Sequence, residues 1–231
     1  MATSVRLIVV PGVTPAKWVR VWHERLPDVP LEVEPVAAAD AHAEVAEQRE
    51  GTVAAGLVRL PVDPEVLHAI PLYEERTVVV VPVDHAVTAA EEIALAGLAD
   101  DVVLHPRDDV LGWEVALPGQ PALERPATTA DAVALVAAGV GVLLVPQSIA
   151  RFHHRKDVTY RPVVDAPTSR VGLAWPLADD APDLVEELIG IVRGRTAHSS
   201  RGRGSTAPDP TAPESRGGRR GAVAEGQPRS G

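Results

Sequence analysis

The chain has 231 residues, 45% of them hydrophobic, no cysteine, and a formal charge of −10. Length and apolar share suffice for one globular domain or two small lobes, and the missing thiols exclude disulfides, thiolate metal centres and cysteine nucleophiles. Charge is uneven: residues 193–231 hold eight Arg against Asp209, Glu214 and Glu225 and so carry +5, leaving −15 on the remainder, a field that opposes general attraction to nucleic-acid phosphates.

Arg6 to Val10 reads as a short apolar strand. Pro11-Gly12-Val13-Thr14-Pro15 then turns the chain into a helix, with Thr14 suited to the N-cap and Pro15 to the first helical position. Trp18, Val21, Trp22 and Leu26 fall on one face of that helix. Leu31, Val33 and Pro35 alternate with Glu32 and Glu34 as a strand would. Asp40 can cap a second helix running to about Arg49, and Gly51 ends it before the strand Val53 to Val58. The order β-α-β-α-β predicts a parallel, doubly wound sheet.

Thr77 to Pro82 is the most strand-like run, continuous and β-branched, as a strand buried on both faces should be. Val102 to His105 predicts another strand. Thr128-Thr129 caps a helix carrying Val133, Val136 and Val140, which ends at Gly139 and Gly141 before the strand Val142 to Val145. Arg170 to Trp175 is a further strand, and after Pro182 a helix presents Leu184, Val185, Leu188, Ile189 and Val192 on one face, with Gly194 as its stop. The expectation is two lobes: the first from about 5–82 and 168–194, the second about 83–167. Only one Phe, two Tyr and four Trp are present, so Val, Leu, Ala and Ile must build the core, which again favours α/β. Residues 195–231 are rich in Gly, Pro, Ser and Arg and hold no hydrophobic period, so they are expected to form a disordered basic tail. The N-terminus shows no export signal and no run is long enough for a membrane span, which predicts a cytoplasmic protein.

Three places could hold a ligand. The turn Pro11 to Pro15, with Val13 and Thr14, offers backbone N–H groups at the positive end of a helix, suited to an anion; the alternative is a helix start with no ligand. Arg59 follows an apolar strand, where open α/β sheets bind ligands, and its guanidinium suits a carboxylate; the alternative is an Arg paired with a nearby acid. Thr128 and Thr129 begin the later helix and would face Thr14 across a cleft, or serve only as caps. Metal and catalytic signals are poor: Trp22-His23-Glu24, Asp108-Asp109 and Glu74-Glu75 offer acids and bases, but nothing fixes their geometry and solvated surface is the stronger reading. His153-His154 is adjacent rather than one helical turn apart, and Gly139-Val140-Gly141 lacks the third glycine of a dinucleotide fingerprint. No cofactor and no metal is expected.

The segment Thr128-Thr129-Ala130-Asp131-Ala132-Val133-Ala134-Leu135-Val136-Ala137-Ala138-Gly139-Val140-Gly141-Val142-Leu143-Leu144-Val145-Pro146 resembles the helix, glycine turn, strand and proline of LysR-type effector-binding domains. Leu26-Pro27-Asp28-Val29-Pro30-Leu31, Val81-Pro82-Val83-Asp84-His85 and Leu95-Ala96-Gly97-Leu98-Ala99-Asp100 support the resemblance, which spans residues 5 to 193. It implies a two-lobed periplasmic-binding-protein type 2 fold, two doubly wound subdomains with a ligand cleft between them and two crossings of the chain. It also implies a small, often anionic effector contacted by Val13, Thr14, Arg59, Thr128 and Thr129, and a homodimer formed through this domain. The sequence departs from the family at Ala54, where an Asp is common, and at Ala86, where a Pro is common. The family's DNA-binding helix-turn-helix precedes its first strand, which here begins at residue 5, so direct sequence-specific DNA binding is not expected. The function expected is that of a non-enzymatic regulatory sensor acting by lobe closure or through a partner regulator, with no membrane role. An enzyme acting on a small carboxylate on the same fold is the alternative, and a transport-type solute receptor a third, disfavoured by the missing export signal.

Overall fold

The computed structural model describes residues 4–113, 117–177 and 183–194. The expected tail at 195–231 lies outside the described residues. Strand β1 (Ser4–Val9), helix α1 (Ala16–Arg25), β2 (Leu31–Pro35), α2 (Ala41–Ala46) and β3 (Thr52–Leu60) follow the order expected from the periodicity. β2 and β3 both pair with β1 in parallel. Next come β4 (Leu67–Glu75) and β5 (Thr77–Pro82), then two short 3-10 turns, and β6 (Val102–Leu104) and β7 (Gln120–Pro121). α3 (Thr129–Ala137), β8 (Val142–Pro146), α4 (Gln147–Phe152), β9 (Val158–Pro162), β10 (Ser169–Pro176) and α5 (Asp183–Val192) complete the described chain.

Two five-stranded sheets result, ordered β2-β1-β3-β10-β4 and β7-β6-β8-β5-β9. Both are mixed. In the first, β10 runs antiparallel to both β3 and β4; in the second, β5 runs antiparallel to both β8 and β9, while β6 is parallel to β7 and β8. The two-lobed α/β fold expected from the sequence is thus present, with an antiparallel half added to each parallel one.

One boundary needs correction. Thr77 to Pro82, placed by sequence in the first lobe, pairs within the second sheet, so the chain crosses between lobes at Arg76 rather than near residue 82. An apolar run such as Val78 to Val81 fits the interior of either sheet, and its composition does not choose one. Here alternation divides it: Val78 and Val80 join the core beneath α3 and α4, and Val79 and Val81 join the core on the opposite face with Leu98, Leu111 and Val163. A strand covered on both sides needs this continuous apolar character.

The first lobe's core gathers Leu7, Ile8, Leu57, Leu173 and Trp175 with Trp22 of α1 and Val185, Leu188 and Ile191 of α5. Trp22 is fully enclosed, and its indole N–H donates to the Val29 carbonyl at 2.9 Å, which keeps the buried polar atom satisfied. β2 breaks the expected alternation: Val33 faces solvent while Glu34 turns to the buried guanidinium of Arg6. α2 is shorter than the reading to Arg49, because Glu47 already has extended backbone.

The chain returns from the second lobe between β9 and β10, and hydrogen bonds sew the two crossings together. Thr77 donates its hydroxyl to the Pro167 carbonyl, Thr168 donates to Glu74, and Val163 N–H donates to the Thr77 carbonyl at 3.0 Å. Gln147 N–H, at the start of α4, donates to the Arg76 carbonyl at 3.0 Å. The crossing is therefore an ordered junction of several segments.

Candidate functional site

Arg59 lies near the end of β3 with only 8% of its surface exposed. Its Nη1 donates to Glu75 Oε2 at 2.5 Å and to Ser169 Oγ at 3.0 Å. Its Nη2 donates to Ser148 Oγ at 3.1 Å and, at the long distance of 3.4 Å, to the Pro11 carbonyl. Ser148 donates in turn to Glu75 Oε2 at 2.8 Å. Nε of Arg59 is buried without a hydrogen-bond partner. His42 of α2 donates from Nε2 to the Arg59 carbonyl at 2.9 Å, which holds the end of the strand beyond the last β1 pair.

These partners come from every segment of the junction: the turn after β1, the end of β4, the start of β10, and the first turn of α4 in the second lobe. Gly12 explains how closely they approach. Its φ is +85°, and a Cβ there would come within 2.5 Å of Ser148 Oγ. Only glycine accepts both conditions. Burial pushes the Tyr73 hydroxyl pKa up, with Glu75 adding to the rise and Arg59 opposing it, so this ring borders the same pair. Arg151 of α4 has its charged form favoured chiefly by Tyr160 and to a smaller degree by Glu75. Arg151 Nε itself donates to the Tyr160 hydroxyl at 3.2 Å, so Arg59 is the cation paired with Glu75.

The residues expected from sequence are not all employed as expected. Arg59 does pair with an acid, Glu75, but at a buried junction rather than as the surface arginine of the alternative reading. Val13 is buried in the first lobe's core. Thr14 is exposed and does not cap α1: Pro15 occupies the N-cap position, and no side chain caps the helix. The Pro15 carbonyl accepts the first helical bonds, from Trp18 and Val19 N–H at 2.8 and 3.0 Å, which shifts the start by one residue.

Thr128 does cap α3, in a capping box with Asp131. Thr129 is buried and gives its hydroxyl to Asp108 Oδ1 at 2.9 Å. The donors expected for a ligand at this helix start thus serve Asp131 and Asp108, and the surroundings are acidic. Burial pushes the Asp109 carboxyl pKa up, against backbone N–H groups of Leu111, Gly112 and Val110 and the nearby His105. Burial lowers the pKa of His153 at the end of α4, with Asp108 opposing. An anion would meet a less favourable field here than at Arg59.

A cavity of about 460 Å³ lies elsewhere in the second lobe, lined by Val103, His105, Leu117, Gln120, Glu124 and Arg125 among others. Its size suits a small molecule. However, Arg125 already donates Nε and Nη2 to the carbonyls of His105 and Pro106 at 2.9 and 2.7 Å, and none of the lining residues belongs to the Arg59 group. Among the described residues, no cluster of three or more His, Asp or Glu has the arrangement of a metal site, and no helix is long and apolar enough to cross a membrane.

A family model described as LysR substrate binding domain matches residues 4–197. The Hca operon transcriptional activator HcaR of Escherichia coli (strain K12) is 31% identical over 160 residues, covering 64% of this chain and 53% of that protein. A "Probable hydrogen peroxide-inducible genes activator" of Mycobacterium avium is 30% identical over 154 residues, 62% of this chain and 50% of that protein. The chain thus spans about half the length of the curated relatives it matches. Among solved structures, the oxidized form of OxyR matches with a TM-score of 0.67 at 20% identity, covering 84% of this chain and 96% of that one. The BenM effector binding domain with its effector benzoate matches with a TM-score of 0.64 at 18% identity, covering 85% and 96%. At those identities the likeness shows the fold.

Proposed function

The chain belongs to the LysR substrate-binding domain family, and from that premise we propose that it is a cytoplasmic regulatory sensor whose effector is a small organic anion received by Arg59. The observation that carries this reading is the placement of one buried guanidinium among partners from both lobes, with Nε still unpartnered. A guanidinium stays charged under any condition in which the protein is folded, and its planar fork matches a carboxylate. Its place supports the reading too, because ligands of open α/β sheets collect beyond the carboxyl ends of parallel strands. β1 and β3 are parallel, the Pro11-Gly12 turn follows the first, and Arg59 sits near the end of the second.

Two of the relatives are described as gene activators, which supports a role in transcription regulation, with output passed to a second copy of the chain or to a partner regulator. A thiol-based response to peroxide is excluded for this sequence, since it has no cysteine. Thr14, exposed in the turn after β1, is proposed to border the effector, with Arg59 as its charged anchor; Val13 is enclosed in the core, and Thr128 and Thr129 are engaged by Asp131 and Asp108. Benzoate, the effector named for the BenM domain, is the first probe.

The test is thermal-shift and calorimetric titration of the full chain with benzoate, other aromatic acids and acetate. Saturable binding is expected, weakened about 10- to 100-fold in Arg59→Gln, the loss typical of one charge-assisted hydrogen-bonded contact. Equal affinity in the variant would contradict the assignment of Arg59, and recovery of a chemically altered ligand would favour the enzyme alternative.

A further inference from the structure

Resting on the reading of Arg59 as the carboxylate anchor, we propose that Glu75 is a built-in occupant of the effector's place, and that the effector acts by displacing it and so uncoupling Ser148 of the second lobe. The Glu75 side chain is 11% exposed and that of Arg59 is 9% exposed, and the two form an ion pair at 2.5 Å. While this pair stands, an arriving anion meets a neutralised guanidinium, shielded from solvent and from most of the attraction it would otherwise exert. The full attraction of Arg59 for an anion is therefore regained when Glu75 leaves. The guanidinium can accept a replacement, because its built-in partners do not exhaust its donors: Nε has none, and the Nη2 bond to Pro11 is long at 3.4 Å.

The consequence reaches the other lobe through one side chain. Ser148 donates to Glu75 at 2.8 Å and accepts from Arg59 Nη2 at 3.1 Å. When Glu75 leaves, Ser148 loses its acceptor. Ser148, against which Gly12 packs for want of a Cβ, is then held by Arg59 Nη2 alone among side-chain partners. The junction then has two arrangements: one closed on Glu75, the other closed on the effector's carboxylate. The effector shifts the balance by the difference in its affinity for the two.

The experiment titrates benzoate and acetate against wild type, Glu75→Gln and Glu32→Gln by calorimetry. Glu75→Gln keeps the shape and removes the competing charge, so binding should tighten about tenfold or more, as removal of a buried ionic competitor allows. Glu32 is exposed on β2, outside the junction, so Glu32→Gln controls for the general loss of one negative charge and should change affinity by less than about threefold, as for a screened exposed charge. Equal or weaker binding in Glu75→Gln, or the same gain in both variants, would overturn the proposal, as would no saturable binding of either probe to Glu75→Gln. If Glu75→Gln does not fold, Ser148→Ala takes its place; freeing Glu75 from the second lobe should also raise affinity, and a loss would count against the proposal. Adding Arg59→Gln to Glu75→Gln separates the two claims. Binding that survives the double change sinks the anchor itself, whereas wild-type binding that needs Arg59 but ignores Glu75 sinks only the displacement.

Discussion

Arg6 and Arg59 occupy neighbouring strands of one sheet, are 1% and 8% exposed, and each leaves Nε without a partner, yet they are enclosed in opposite ways. Arg6 Nη1 meets Glu34, Glu44 and Glu47 at 3.2 to 3.4 Å, and Nη2 donates to the carbonyls of Glu44 and Glu47. Every partner belongs to β2, α2 or the residue that ends α2, all in the first lobe, and Arg49 braces the same glutamates from outside. Arg59 has one carboxylate and two serine hydroxyls drawn from both lobes. A buried cation surrounded by its own lobe is a structural pairing, whereas one shared between lobes couples their relative position to its own occupancy. Burial alone does not identify a site. The origin of the partners separates the two arginines.

The largest expected effect tests the structural half of this contrast. Arg6→Ala removes the cation that three glutamates share, and loss of one partner of a buried pair costs about 3 kcal/mol, the low end of the usual range, because the glutamate side chains remain 32%, 37% and 53% exposed. Urea denaturation should show that loss while benzoate affinity stays unchanged. A cost near zero would mean that the cluster behaves as a surface network and that the contrast is false.

Next in size is Gly12→Ala. The left-handed φ and the approach to Ser148 should together cost about 2 kcal/mol, and the methyl should also alter carboxylate affinity, because it intrudes on the junction rather than on one lobe. If stability drops with affinity untouched, Ser148 is not part of the binding unit. The smallest effect concerns acid. Arg49 first, and Arg6 after it, hold the Glu47 carboxyl below its ordinary value of 4.5. A depressed folded pKa stabilises fully above that ordinary value, and the contribution disappears as pH falls through the folded value. Glu47→Gln should therefore flatten the acid limb of a stability profile slightly, and an unchanged profile would show that the contact is idle.

The contrast also marks what can be read from residues alone. β1, β3, β8 and α5 follow from apolar periodicity, and the Thr128 cap from local chemistry, all of which act within a few residues. β4 escapes because it is an edge strand with Pro71 inside it and a register shift against β10 between Val171 and Gly172, so it lacks a clean two-residue period. α4 escapes because six residues are too few to display one. Arg59 stands out as a charge near the end of an apolar strand, but its partners Glu75 and Ser148 lie 16 and 89 residues away. No local pattern links them. Arg6 was hidden for the opposite reason, since it sits within a strand that otherwise reads as wholly apolar, and its glutamates look like an exposed face.

The central claim is that Arg59 takes the effector's carboxylate, and its Nε–H reports on that directly. The ¹⁵N–¹H signal of this group, assigned by its disappearance in Arg59→Gln, should be followed while benzoate is added to the full chain. It should shift and saturate together with the calorimetric binding curve, as the orphaned donor gains an acceptor. A signal that stays in place while benzoate binds would contradict the claim.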